Sequence, residues 1–233
     1  MILGSICCRG GSKGVPGKNV KPINGKPLLL YTIDTAKESS LLEDLIISTD
    51  SEQIAELARN AGVNVPFMRP AELASDHSSK WHVFIHAVEA YEKYSGKKVT
   101  YLVDMDVTVP LKTAADIDGA ISLALANPEA DVIITGYEPE RNPYFNMMEI
   151  KPDGYAGIVK QTKDPIVRRQ DAPAVYSLTP AAFVVKKESL YNFRHWSEAK
   201  CMIYPMPRMR AIDIDTEVDF KIVEFFMNNK DEK

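Results

Sequence analysis

Apolar and polar positions along this chain follow two periods in turn. Short apolar runs rich in β-branched residues alternate with segments whose apolar positions recur at helical spacing. The pattern predicts strands at 2–8, 45–48, 63–68, 99–104 and 132–137, and helices at 27–39, 51–61, 80–95 and 114–127. Such alternation favours an α/β fold with a doubly wound, mainly parallel sheet, which binds ligands beyond the carboxyl ends of its strands.

The alternation fails over about 138–176, which we interpret as an insertion in a single domain spanning 1–233. Two short apolar runs flank a Lys-Pro-Asp-Gly turn at 151–154, as in a β-hairpin, and a charged, Pro-containing stretch follows. Regular structure is predicted to resume with a strand at 181–186 and to include a short helix up to Phe193 and an apolar run at 202–204.

A closing helix is predicted at about 217–228. Four apolar residues within it recur at helical spacing: Val218, Ile222, Phe225 and Phe226. This stripe predicts that they pack against the core.

Composition excludes several classes of protein. The net charge of −4 gives no overall positive field for nucleic acid. Three cysteines, two of them adjacent, favour neither a disulfide framework nor a zinc site, so we expect a cytoplasmic protein. No apolar run approaches the roughly 20 residues that span a bilayer, and 2–8 is too short for a signal-peptide core, so no membrane partner is expected.

A loop rich in glycine and positive charge follows the first predicted strand. Residues 9–19 contain four glycines, and Arg9, Lys13, Lys18 and Lys21 supply four positive charges in or beside the loop. Glycines let backbone N–H groups approach an anion, so the loop is suited to a polyphosphate, although it matches neither a Walker loop nor G-x-G-x-x-G. The alternative is a solvated glycine-rich turn.

Asp213 and Asp215 form a second candidate site. In an extended segment, residues i and i+2 face the same side, so both carboxylates would project together, with Ile212 and Ile214 on the other side. Mg²⁺ favours one or two carboxylates together with phosphate oxygens and water. The alternative is that Asp215 caps the following helix while Asp213 is solvated.

The sequence resembles the acylneuraminate cytidylyltransferase family, the enzymes that make CMP-activated nonulosonic acids. The family motif R-x-x-S-K-G-x-P-x-K-N is complete at Arg9 to Asn19. Further blocks match in order at 24–28, 48–52, 69–76, 142–144, 168–173 and 212–216. The resemblance implies a Rossmann-like nucleotidyltransferase with a β-rich dimerisation insertion, which uses CTP, a nonulosonic acid and Mg²⁺ and acts as a homodimer.

The resemblance also implies roles for individual residues. Catalytic roles fall on Arg9, Lys18, Asp213 and Asp215, of which the two aspartates also bind the metal. Nucleotide binding falls on Arg9, Gly10, Gly11, Ser12, Lys13, Lys18, Asn19, Arg69 and Ser78. Sugar binding falls on Asp106, Arg168, Arg169, Gln170 and Tyr176, because arginine suits the carboxylate of the sugar.

Several of these assignments have alternatives. Asp50 suits an N-cap at least as well as catalysis. Arg69 could instead form a surface ion pair, and 168–170 could be a charged loop without a ligand. His82 and His86 share a helix face but lack a third ligand, so we interpret them as ordinary helix residues.

Two positions depart from the family pattern. Asp106 stands where sialate enzymes usually have glutamine, and Lys80 stands where a small hydroxyl residue is common. Asp106 could meet an amine or hydroxyl of a different sugar, or join the metal site together with Asp104.

The predicted reaction is transfer of CMP from CTP to the anomeric hydroxyl of a nonulosonic acid, with release of pyrophosphate. One alternative is a nucleotidyltransferase that uses another NTP and a sugar 1-phosphate. The other is a nucleotide-binding protein without catalytic activity.

Overall fold

The computed structural model describes residues 1–11, 14–75 and 78–229. Its strands are β1 Ile2–Cys7, β2 Pro22–Ile23, β3 Lys26–Pro27, β4 Asp44–Ser48, β5 Tyr101–Asp104, β6 Val132–Tyr137, β7 Met148–Ile150, β8 Ala156–Ile158, β9 Ser177–Lys186 and β10 Cys201–Pro205. Its α-helices are α1 Leu28–Lys37, α2 Glu52–Asn60, α3 Lys80–Ser95, α4 Ala114–Ala126, α5 Ser189–Asn192 and α6 Glu217–Asn228. Most predicted elements are confirmed to within a few residues.

A six-stranded sheet in the order β10-β6-β9-β5-β1-β4 forms the centre of the molecule. The β1 strand pairs in parallel with both β4 and β5, and β10 pairs in parallel with β6. The β9 strand runs antiparallel to both of its neighbours, β5 and β6. The carboxyl ends of β4, β1 and β5 therefore meet at one edge of the sheet, where an α/β fold binds its ligands.

Helices cover both faces of the sheet, as the doubly wound prediction requires. Alternate residues of β1 enter different cores: Ile6 packs in one with α1, α4 and α6, and Leu3 packs in the other with α3. Neighbouring residues of β5 separate in the same way, with Val103 on the first side and Leu102 on the second. Burial of both faces explains why these strands are continuous apolar runs.

The predicted strand at 63–68 is wrong. The segment makes one isolated bridge, between Ile46 and Asn64, and then runs on as irregular chain to Arg69. Pro66 has no backbone N–H to donate to a ladder, which limits pairing beyond that bridge. The segment nevertheless returns to the sheet edge, where the Arg69 N–H donates to the carbonyl of Thr49 at 2.7 Å.

The packing predicted for α6 is also wrong. The buried residues of this helix are Phe220 and Val223, whereas Val218 is 64% exposed and Phe225 is 58% exposed. The apolar surface of α6 is wider than the core that it contacts. Sequence periodicity did not distinguish the buried face from the apolar face beside it.

The segment 138–176 lies outside the six-stranded sheet, and its predicted hairpin is confirmed as the antiparallel pair β7 and β8. Its large apolar side chains face solvent in the single chain: Ile150 is 82% exposed and Tyr155 is 76% exposed. Among the described residues, no helix combines the length and the apolar character needed to cross a membrane.

Candidate active site

A cavity of about 470 Å³ opens at the edge where β1, β4 and β5 end. It brings together residues that the sequence places far apart. The predicted site residues that line it are Arg9, Gly11, Lys18, Asn19, Arg69, Ser78, Asp106 and Asp215. Ser12 and Lys13, predicted to bind nucleotide, lie outside the described residues.

The loop after β1 is held in shape by its own backbone and by Asp50. The Gly10 N–H donates to Asp50 Oδ1 at 2.9 Å, and Asn19 Nδ2 donates to the carbonyl of Arg9 at 2.9 Å. The cap of α2 is Ser51, whose hydroxyl accepts from the N–H of Ile54. Asp50 is therefore not the N-cap, and it positions the loop.

Lys18 joins this loop to the acidic segment near the C-terminus. Its side chain is largely buried, and its ammonium donates to the carbonyl of Ile214 and lies 3.7 Å from Asp215 Oδ1. Gly14 packs against the same segment so closely that a Cβ there would lie 2.2 Å from the Asp215 carbonyl oxygen. The phosphate-type loop and the acidic segment thus form one wall of the cavity.

Asp213 and Asp215 occupy different environments, and of the two only Asp215 lines the cavity. The Asp215 side chain is 77% exposed, whereas Asp213 Oδ1 is buried and has no hydrogen-bond partner among the described residues. Burial raises the pKa of the Asp213 carboxyl, and a hydrogen bond from Thr108 offsets this only in part. The carboxylate is therefore incompletely satisfied by the described protein groups, and a cation would complete it.

The helix-cap alternative for Asp215 is wrong. The cap of α6 is Thr216, which forms a capping box with Asp219. Ile214 is fully buried and its N–H donates to the carbonyl of Thr108 at 2.8 Å, which anchors the segment between the two aspartates. These residues fit a magnesium ion, since Mg²⁺ takes few protein carboxylates and completes its shell with phosphate and water.

A second pair of carboxylates lies at the end of β5 and just after it, and the two share one cation. The ammonium of Lys80 lies 3.0 Å from Asp104 Oδ2 and 3.3 Å from Asp106 Oδ2. The other oxygen of the buried Asp104 accepts from Ser5 Oγ at 2.9 Å and from the Cys7 N–H at 3.1 Å. Burial alone would lower the pKa of Lys80, but the two carboxylates outweigh it and raise that pKa, so Lys80 is a cation.

A model of the cytidylyltransferase family matches residues 5–231. The chain belongs to the cytidylyltransferase family. It is 38% identical over 229 residues to post-translational flagellin modification protein B of Campylobacter coli, across 98% of this chain and 96% of that protein. It is 36% identical to the CMP-N,N'-diacetyllegionaminic acid synthase of Campylobacter jejuni, with the same two coverages.

A solved structure shares the fold of this cytidylyltransferase-family chain at low sequence identity. The structure is that of CMP:2-keto-3-deoxy-manno-octonic acid synthetase in complex with CTP, with a TM-score of 0.69 and 14% identity. The likeness covers 98% of this chain and 99% of that one. It supports the Rossmann-like nucleotidyltransferase fold.

Arg69 belongs to the buried wall of the site rather than to a surface ion pair. The residue is 7% exposed, and its guanidinium donates to the hydroxyl and to the carbonyl of Ser48 at the end of β4. Ser78 also lines the cavity, and its hydroxyl donates to the carbonyl of Glu72 at 2.6 Å. Both side chains are thus fixed at the cavity by neighbouring backbone.

The predicted sugar-binding residues of the insertion do not line this cavity in the single chain. Arg168 forms a two-point ion pair with Asp171, and Arg169 donates to the carbonyl of Pro139 at 3.1 Å. Gln170 is exposed, and Tyr176 is 43% exposed. Their role in sugar binding stays a prediction.

The helical histidines form no metal site with neighbouring residues. His82 is exposed, and His86 packs edge-on against Phe67 with ring centroids 5.0 Å apart. In the described part of the chain, no cluster of three or more histidine, cysteine or acidic residues is arranged to hold a metal.

Sequence reasoning gave no role to Lys112, which lies behind the cavity. Lys112 is 3% exposed, and its ammonium donates to the carbonyl of Asp106 at 2.7 Å, to the carbonyl of Val109 and to the hydroxyl of Thr32. Burial lowers the pKa of Lys112 to about 7. The signal that could have found it is a charged residue directly after the mostly apolar stretch 107–111.

Proposed function

We propose that this chain transfers CMP from CTP to the anomeric hydroxyl of a nonulosonic acid and releases pyrophosphate. One observation carries the proposal: the incompletely satisfied Asp213 directly precedes Ile214, whose carbonyl accepts from Lys18 of the glycine-rich loop. This arrangement would combine a cation site with a polyphosphate site. Membership of the cytidylyltransferase family and the relative named CMP-N,N'-diacetyllegionaminic acid synthase support CTP as the nucleotide and a nonulosonic acid as the sugar.

Positioning and charge neutralisation account for the chemistry that the residues contribute. Arg9 and Lys18 would bind the triphosphate, and Asn19 would keep the loop in register through the Arg9 carbonyl. Asp213 and Asp215 would hold Mg²⁺, which supplies charge neutralisation to the departing pyrophosphate. The sugar hydroxyl then attacks the α-phosphorus in line. The bond between the sugar oxygen and the α-phosphorus forms as the bond from the α-phosphorus to the oxygen bridging to the β-phosphate breaks. Pyrophosphate departs, and the hydroxyl proton is released.

The insertion would pack against a second copy of the chain. Its solvent-facing apolar residues, including Met148, Ile150 and Tyr155, would be covered in such a homodimer. The exposed Arg169 and its neighbours would then reach the sugar carboxylate in the partner subunit's site. Because CTP is a cytoplasmic metabolite, the proposed location is the cytoplasm.

A pyrophosphate-release assay with each NTP and two kinds of acceptor tests the reaction. The acceptors are a panel of acidic sugars, namely sialic, legionaminic and pseudaminic acids with an octulosonic acid for comparison, and a panel of sugar 1-phosphates. Release that requires CTP, Mg²⁺ and a nonulosonic acid supports the proposal. Release with a sugar 1-phosphate and another NTP favours the first alternative, and CTP binding without any release favours a non-catalytic binding protein.

Mixing two inactive variants tests the shared site. If Arg169 acts on the neighbouring site, Asp213→Asn and Arg169→Ala homodimers should exchange subunits and recover activity, since each mixed dimer contains one complete site. Ile150→Asp should produce a monomer in light-scattering measurements. Mixtures that stay inactive after complete subunit exchange would contradict the shared site and leave the reaction itself untouched.

A further inference from the structure

Two charged residues that are 26 positions apart in sequence meet in the cavity wall. The ammonium of Lys80 and Asp106 Oδ2 lie 3.3 Å apart. Both side chains line the cavity and both are partly exposed, Lys80 by 41% and Asp106 by 27%. The two residues therefore form one contact.

The hydrogen bonds already made by this pair show what it offers a ligand. Asp106 Oδ1 accepts from the N–H and from the hydroxyl of Thr108, while Oδ2 faces Lys80. The ammonium of Lys80 has three N–H groups: it donates to Asp106 Oδ2 and lies 3.0 Å from Asp104 Oδ2, an ion pair in which Asp104 Oδ2 accepts no hydrogen bond from the described residues. One N–H donor and one lone pair of Asp106 Oδ2 are thus available side by side on the cavity wall.

We propose that Lys80 and Asp106 act as one specificity-determining unit that binds a hydroxyl group of the acceptor sugar. A hydroxyl can donate to the carboxylate while it accepts from the ammonium, so a single group satisfies both. Charge-assisted hydrogen bonds of this kind are stronger than those of the neutral glutamine in sialate enzymes. This inference rests on the proposed function, because it concerns the acceptor of that reaction.

Asp104 explains why Lys80 and Asp106 act together. Asp104 is buried, and its Oδ2 lies 3.0 Å from the Lys80 ammonium. One ammonium thus faces both carboxylates and reduces the repulsion between them. A glutamine at 106 would leave the Lys80 charge directed at Asp104 alone, and a serine at 80 would leave two carboxylates facing each other.

The experiment measures kcat/KM for the same panel of acidic sugars. The proteins compared are the wild type, Asp106→Gln, Lys80→Ser and the double variant. The matched control is Arg59→Ser with Glu52→Gln, which removes an exposed ion pair of 2.6 Å on α2 outside the cavity lining. Lys80→Ser leaves the buried Asp104 without a cation, and such a loss can prevent a protein from folding. Asp106→Asn is therefore included, because this variant keeps the contact between Lys80 and Asp104.

For Asp106→Gln we expect kcat/KM for the best acceptor to fall by about 10-fold to 100-fold, the value of one or two charge-assisted hydrogen bonds, with KM for CTP changed by less than about twofold. The ranking of acceptors should change. The double variant should be more active than the product of the two single effects, because either single substitution already breaks the contact between Lys80 and Asp106. The control should match the wild type for every acceptor.

Three results would overturn the inference. An equal loss for every acceptor would show that the pair supports the fold or the nucleotide rather than sugar choice. Effects that multiply in the double variant would show that the residues act separately. A wild type inactive with every nonulosonic acid would overturn the proposed function as well, whereas an active wild type with unchanged acceptor ratios in the variants overturns this inference alone.

Discussion

Two segments of this chain contain the pattern Asp-x-Asp at the same cavity, yet their environments are opposite. Between Asp104 and Asp106 the structure places the ammonium of Lys80, within 3.0 and 3.3 Å. The second pair has a lysine at only one member: Lys18 lies 3.7 Å from Asp215 Oδ1, while Asp213 Oδ1 has no hydrogen-bond partner among the described residues. In the first pair one ammonium lies close to both carboxylates, and in the second pair Mg²⁺ is proposed to complete Asp213.

The comparison teaches that a pair of carboxylates does not by itself define a metal site. What separates the two pairs is the neighbouring cation, which comes from a distant part of the chain in each case. Lys80 reaches Asp104 directly, whereas Lys18 is directed mainly at the Ile214 carbonyl and stays 3.7 Å from Asp215. The suggestion that Asp104 and Asp106 join the metal site is therefore not supported by the contacts they make.

The largest expected effect comes from removing the open carboxylate. In Asp213→Asn, turnover at saturating Mg²⁺ should fall at least about 100-fold, because a cation ligand that neutralises phosphate charge is lost. Initial rates of pyrophosphate release across a Mg²⁺ titration measure this effect. Turnover within a few-fold of wild type would remove the metal assignment and make the two pairs equivalent.

Removing the cation of the closed pair should instead affect stability. Lys80→Ser should lower the free energy of unfolding by about 2–4 kcal/mol, since the buried Asp104 loses its compensating charge while Lys80 itself is partly exposed. Asp215→Asn, at an exposed position, should change it by less than about 0.5 kcal/mol. Urea denaturation of both variants gives the comparison, and similar values would contradict it.

The closed pair should bind a divalent ion once its lysine is gone. In Lys80→Ser, Mg²⁺ can occupy the place of the ammonium, and at ten times its dissociation constant it would restore about 1.4 kcal/mol. Thermal denaturation with and without Mg²⁺ should therefore show a larger upward shift in Tm for Lys80→Ser than for wild type. Equal shifts would show that this pair cannot accept a metal.

The smallest expected effect is a difference between the carboxyl pKa of Asp106 and the carboxyl pKa of Asp213. Burial, the largest single influence, would raise the pKa of Asp106, but the Lys80 charge and the hydrogen bonds from Thr108 and Lys80 together outweigh it and lower that pKa; burial raises the pKa of Asp213. Ionised Asp106 thus stabilises the fold above the usual Asp pKa, and this contribution disappears as pH falls through its lowered value. Ionised Asp213 costs stability, and acidification through its raised value removes that cost.

Carboxyl ¹³C NMR measures this difference, with Asp106→Asn and Asp213→Asn to assign the signals. On lowering the pH, the Asp213 signal should move before the Asp106 signal. If both carboxyl groups titrated together near the reference pKa of about 3.9, the difference between their environments would be contradicted.

Much of the fold could be predicted because periodicity reports burial. The helices α3 and α6 and the strand β6 have the predicted bounds, since each has a strong pattern between clear end signals. The segment 63–68 failed because its apolar residues contact the core without joining the ladder. The antiparallel direction of β9 has no signal in the sequence, because it depends on where the insertion returns the chain.

The candidate site was predictable where neighbouring residues act together, as in the loop 9–19 and the pair at 213 and 215. The contact between these two segments could not be predicted, because no sequence pattern shows that Gly14 packs against Asp215 or that Lys18 reaches the Ile214 carbonyl. The bond from Gly10 to Asp50 and the contact of Lys80 with Asp104 are of the same kind. Such tertiary contacts determine which carboxylate anchors the backbone, which is neutralised and which stays open.

The contact of Lys18 with the carbonyl of Ile214 joins residues 196 positions apart in the chain. During synthesis on the ribosome, β1 and its loop are made before the segment that completes their wall. Closing so long a loop is slow relative to local folding. Chains truncated before residue 214 therefore lack the Ile214 carbonyl and cannot complete this wall of the cavity.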